Sequence, residues 1–149
     1  MAKKQEYNYK SLQSDYGKMP PQAVDLEEAI LGSLMLEKDA FITVSDFLKP
    51  DCFYKEAHQK IYRGMSLNNE PVDILTVSEE MKRLGELEEI GGYYYLAQLT
   101  SKVASAAHIE FHARIIVQKY IQRELIRVCT DIQNKAYDDA TDVADLVDM

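Results

Sequence analysis

Residues 105–136 read SAAHIEFHARIIVQKYIQRELIRVCTDIQNKA and contain neither Gly nor Pro. Ser105 is a favourable helix N-cap, and apolar residues recur behind it at helical spacing. Ile109, Ala113, Ile116 and Tyr120 open a stripe that Val117, Ile121, Leu125, Val128, Ile132 and Ala136 continue. Phe111, Ile115, Ile126 and Cys129 lie off it, so more than one side of the helix is apolar. The spacing predicts one helix about 48 Å long at a rise of about 1.5 Å per residue. A compact globule of this chain length is only about 38 Å across. The helix is therefore expected to project and to need a partner: a returning helix, a second copy of the chain, or both.

The sequence on either side fits that expectation. Tyr137-Asp138-Asp139-Ala140 reads as a turn, and Asp142 can cap a segment with Val143, Leu146 and Val147 on one face. This is the start of a returning helix, so residues 104–149 read as a long helix and a truncated helical hairpin. Self-association is assigned to Ile121, Leu125, Val128 and Ile132. Upstream, residues 20–103 read as a small globular head of short helices. Pro20-Pro21 precedes a helix over 23–36, with Leu26, Ile30 and Leu34 on its stripe and Asp25, Glu27 and Glu28 near the positive end of its dipole. Asp39 is expected to cap a short helix carrying Phe41, Val44, Phe47 and Leu48. A third helix is expected over 54–67. Asp73 caps a fourth over 74–84, ended by Gly85, and Gly91-Gly92 turns into a fifth over 93–101. No alternating run demands a strand, so the fold class is all-α. Residues 1–19 read as a flexible polar arm.

Composition narrows the function. The 149 residues carry 17 Lys+Arg against 25 Asp+Glu, a formal charge of −8. The arm holds +2, the head −7, residues 104–137 +2 and residues 138–149 −5. An acidic head opposes a grip on phosphates. Cys52 and Cys129 form no CxxC pattern and read as small apolar fillers in a reduced, cytoplasmic setting. No apolar run approaches the roughly 20 residues of a membrane span. There is no phosphate-binding G-x-x-x-x-G-K-[ST] loop and no nucleophile elbow. His108 and His112 have a chelating spacing, but Glu110 between them points to the opposite helix face. His58 reads as a core or boundary side chain, and the many carboxylates as solvated helix faces. No catalytic residue, cofactor site or metal site is assigned.

Several motifs in order carry a family resemblance. Pro20-Pro21-Gln22 with Leu26-Glu27-Glu28-Ala29-Ile30-Leu31-Gly32-Ser33-Leu34 resembles the opening of the N-terminal domain of bacterial replicative DNA helicases, the DnaB family. Asp51-Cys52-Phe53-Tyr54 with His58-Gln59-Lys60-Ile61-Tyr62, and Pro71-Val72-Asp73-Ile74-Leu75-Thr76-Val77, are similar to its next two runs. Leu87-Glu88-Glu89-Ile90-Gly91-Gly92 with Tyr95-Leu96 resembles its glycine turn and following helix. Ser105-Ala106-Ala107-His108-Ile109 with Ala113-Arg114-Ile115-Ile116 resembles the start of its long helix. Val103-Ala104 departs from the Pro that many relatives carry there.

The resemblance covers about residues 20–148 and implies an isolated N-terminal domain of a longer protein. It implies no enzymatic activity in this chain, with ATP and Mg bound by an ATPase domain that the chain lacks. It implies dimers that build the collar of a hexameric ring, contact with DNA only through that other domain, and docking of the C-terminal domain of primase. Carried over by position, the docking candidates are Asp25, Tyr95, Ile126 and Ile132. The alternative is a stand-alone helical adaptor or helicase-loader-like protein of the same fold.

Overall fold

Where apolar spacing, caps and breakers agree, helices form. The computed structural model describes residues 19–68, 70–102 and 108–149. Among them are seven α-helices, one 3-10 turn and no strand, as the all-α reading requires. The helices are α1 Val24–Leu36, α2 Ala40–Ser45, α3 Glu56–Leu67, α4 Ile74–Arg83, α5 Gly92–Ser101, α6 Ile109–Tyr137 and α7 Val143–Val147, with the 3-10 turn at Pro50–Cys52 between α2 and α3. The arm up to residue 18, the Val103-Ala104 departure and the Ser105 cap lie outside the described residues.

The local signals work where the chemistry is local. Asp73 caps α4 through a reciprocal box: Thr76 N–H donates to its carboxylate at 2.8 Å, and Thr76 Oγ1 accepts from Asp73 N–H at 3.0 Å. Gly85, at φ +72°, closes the other end, with Glu86 N–H donating back to Met81 O at 2.9 Å. Asp142 caps α7 by accepting from Ala144 N–H. Asp39 does not cap as expected. Its side chain makes no capping bond, and its backbone carbonyl instead accepts from the N–H and hydroxyl of Thr43. The second helix also stops at Ser45, leaving Phe47 and Leu48 in the following turn. The third begins at Glu56, two residues later than the spacing suggests, and the N–H groups of Tyr54 and Lys55 ahead of it donate to a carboxylate from α1.

The chain divides into two compact units. In the first, residues 22–120, α1 is the centre. Six consecutive residues, Ile30 to Met35, are buried, which puts protein on every side of the helix. It packs against α2, α3, α4 and α5. Leu34, Val44, Ile61, Val77, Leu96 and Ala113 are all 0% exposed, so the first five helices and the beginning of α6 share one core. Gly64 lets α3 approach α4: a Cβ there would lie 2.7 Å from Met81 Sδ. Tyr62 stacks among Phe41 and Phe53, with centroids at 5.5 and 5.1 Å, and donates its hydroxyl to Leu48 O at 2.7 Å. Burial pushes that phenol above its ordinary pKa. At the surface, the Arg114 guanidinium covers the Phe47 ring at 4.3 Å.

The second unit contains, among its described residues, Met19–Pro21 and 121–149. Arg123 is 1% exposed and donates Nη1 to Pro21 O at 2.8 Å, tying α6 to the chain that leads into the first helix. Helix α7 has no buried residue; of its expected apolar face, Leu146 is half-buried while Val143 and Val147 are exposed. Cys52 fills the core as expected, but Cys129 is exposed on α6, so the filler reading fails for it. No helix among the described residues is long and apolar enough to cross a membrane.

Candidate functional site

The most organised polar cluster of the first unit joins three elements that are remote in sequence. Glu27 on α1 is 1% exposed and His58 on α3 is 0% exposed. Glu27 Oε1 lies 2.8 Å from His58 Nδ1, and Oε2 accepts from Tyr54 N–H at 2.8 Å. With a longer bond from Lys55 N–H, the carboxylate caps α3 from outside the helix and lies at the positive end of its dipole. On the other side of the imidazole, Nε2 lies 2.6 Å from the Tyr95 hydroxyl on α5, and the two rings are nearly parallel. Lys55 Nζ reaches the same hydroxyl at 3.2 Å and sits 4.8 Å from the ring centroid. Gly91, at φ +109°, is needed immediately before: a Cβ there would come within 2.9 Å of Tyr95 Cβ.

This cluster corrects the reading of the carboxylates as solvated faces. Glu27 contributes to a buried, fully bonded group, and His58 is its central member. A polar residue on the apolar side of α1 was the available signal, since Glu27 lies three residues before Ile30 and four before Leu31.

The docking candidates fall into both units. Asp25 is exposed in the first turn of α1, and Tyr95 is half-buried on α5. Both lie in the field of Lys102, whose pKa is raised first by its hydrogen bond to Glu28, then by the Glu28 charge, and to a lesser degree by Tyr95 and Asp25. In the other unit Ile126 and Ile132 are half-buried on α6. The self-association candidates share this helix: Ile121, Leu125 and Val128 are 50%, 60% and 38% exposed. Their spacing of four and three, continued by four to Ile132, is that of a helix–helix seam. His108 and His112 approach edge to face at 6.4 Å, and among the described residues no three His, Cys, Asp or Glu side chains are grouped as a metal would require.

Over residues 19–118 the sequence matches the family described as the DnaB-like helicase N terminal domain. It is 45% identical over 141 residues to the replicative DNA helicase DnaB of Rhodothermus marinus, covering 93% of this chain and 15% of that protein. It is 41% identical over 133 residues to the replicative DNA helicase DnaC of Bacillus subtilis, covering 87% of this chain and 29% of that one. The chain thus spans less than a third of either relative. Its fold is similar to the crystal structure of the N-terminal domain of DnaB helicase from Mycobacterium tuberculosis, with a TM-score of 0.80 and 38% identity over 87% of this chain and 93% of that one. A structure of a DnaB-like replicative helicase and its interactions with primase is similar at a TM-score of 0.65 and 26% identity, over 75% of this chain and 27% of that one.

Proposed function

The chain belongs to the family of DnaB-like helicase N-terminal domains, and from that premise we propose that it is a non-catalytic assembly and docking domain of a cytoplasmic replicative DNA helicase. Its task is to join copies of the helicase into dimers and a hexameric ring and to receive the C-terminal domain of primase. ATP and Mg belong to the ATPase domain of the longer protein, and so does the grip on DNA. This chain needs no cofactor of its own.

The observation that carries this reading is the exposed row Ile121, Leu125 and Val128 on α6. An apolar row at seam spacing gains most by meeting a second apolar helix face. The net charge of −8 supports contact with protein over contact with nucleic acid. Primase docking is supported by the similarity to the helicase solved for its interactions with primase.

Self-association is tested by sedimentation of the full chain against Leu125→Asp, with circular dichroism as a folding control. The wild type sediments as a dimer or larger and the folded variant as a monomer; identical sedimentation of the two overturns the seam. Docking is tested by calorimetry with the cognate primase C-terminal domain. Ile126→Ala and Tyr95→Ala, both still helical, lose affinity. Wild-type affinity in both removes these residues from the docking surface. Asp25→Asn slows association more than it weakens binding, as a rim charge does.

A further inference from the structure

Three consecutive tyrosines begin α5, and their surroundings differ. Tyr93 and Tyr94 are 52% and 73% exposed, whereas Tyr95 is half-buried with its hydroxyl between His58 and Lys55. The proton positions follow from what each group can do. Glu27 accepts from the backbone N–H groups of Tyr54 and Lys55, so both of its oxygens serve as acceptors. A carboxylate only accepts, so the proton between it and His58 is on Nδ1. In the Nδ1–H tautomer, Nε2 accepts from the Tyr95 hydroxyl at 2.6 Å. Lys55 Nζ has donors only, so at 3.2 Å it donates to the same oxygen. The Tyr95 oxygen thus faces a base that can take its proton and a cation that stabilises the anion left behind. Carboxylate, imidazole and hydroxyl stand in the order that activates a serine in hydrolase triads, with a phenol in the serine's place.

We propose that Tyr95 is an activated nucleophile and the preferred site on this chain for covalent modification by an electrophile with a tetrahedral phosphorus or sulfur centre. In the step, a lone pair of the Tyr95 oxygen attacks that centre. The new oxygen–phosphorus or oxygen–sulfur bond forms as the bond to the leaving group breaks, and the leaving group departs with its electron pair. The phenol proton passes to His58 Nε2, and the resulting imidazolium is held by Glu27 until the proton is lost to water or to the leaving group. No oxidant or reductant takes part. His58 is the base, Lys55 the cation at the developing anion, and Glu27 a positioning residue. The modified oxygen has no proton left to give His58, so modification breaks the tie between α3 and α5. The inference rests on the cluster alone and is independent of the docking role.

The test is a time course with a neutral aryl sulfonyl fluoride on the full chain, read by peptide mapping with fragment-resolved mass spectrometry. The sulfur–oxygen bond formed releases fluoride, and Tyr93 and Tyr94 are references within the same peptide. Tyr95 is expected to be labelled at least about tenfold faster than either, a conservative share of what a positioned base contributes. His58→Asn keeps an N–H for Glu27 but has nothing at the Nε2 position. In this variant, folded by circular dichroism, the excess at Tyr95 disappears while Tyr93 and Tyr94 are unchanged. Labelling of Tyr93 or Tyr94 as fast as Tyr95 in the wild type overturns the proposal whether or not the variant folds, and so does an excess that survives in folded His58→Asn.

Discussion

Helix α6 carries the same kinds of residue through two environments. In its first part Ile109, Ala113 and Ile116 are 9%, 0% and 1% exposed and belong to the core of residues 22–120. In its later part Ile121, Leu125 and Val128 are 50%, 60% and 38% exposed. Nothing in residue type separates the two sets. An apolar stripe thus states a demand for burial without stating who meets it. Within residues 22–120 the demand is met by α1 and its neighbours. In the later part of α6, the exposed row is left to a second chain or another partner, as proposed.

Four substitutions test this contrast. The largest effect is expected for Leu34→Ala, at a fully buried position of α1. It should lower the unfolding free energy by about 3 kcal/mol, measured by denaturant titration. Glu27→Gln comes next, at about 2 kcal/mol. It removes a buried carboxylate that accepts from two backbone N–H groups and His58, and an amide replaces only part of that capacity. A Glu27→Gln variant as stable as the wild type would mean that the cluster contributes nothing to the fold. Asp73→Ala removes a reciprocal cap that is confined to one helix end, so about 1 kcal/mol is expected from the same titration. The smallest effect is expected for Leu125→Ala, below about 0.5 kcal/mol when measured at a dilution where the chain is monomeric. A cost equal to that of Leu34→Ala would show that this face of α6 is already covered within one chain.

What could be read in advance follows the range of each interaction. Asp73, Gly85 and Asp142 act on backbone groups within a few residues, so type and spacing were enough to place them. Asp39 has the same chemistry as Asp73, yet its side chain makes no capping bond. The distinction lies in backbone angles: Asp73 is extended at φ −147° and ψ 175°, whereas Asp39 is at φ −106° and ψ 6°. The carboxylate that receives the N–H of Tyr54, just ahead of α3, comes from Glu27, 27 positions earlier, and spacing within α3 carries no sign of it. Cys129 and Cys52 are the same small thiol, and only their positions make one exposed and the other core.

The class of fold, the order of the helices and the family were legible from the residues alone. These depend on periodicity, on breakers such as Pro71 and Gly91, and on motifs that lie close together along the chain. That Glu27, His58 and Tyr95 form one bonded group, that Arg123 is buried and that Leu125 is not follows from how the helices pack. His58 is 31 positions from Glu27 and 37 from Tyr95, and no local rule relates residues so far apart. Burial of a polar side chain depends on whether partners from other elements arrive within hydrogen-bonding distance, and that is settled only when the helices pack.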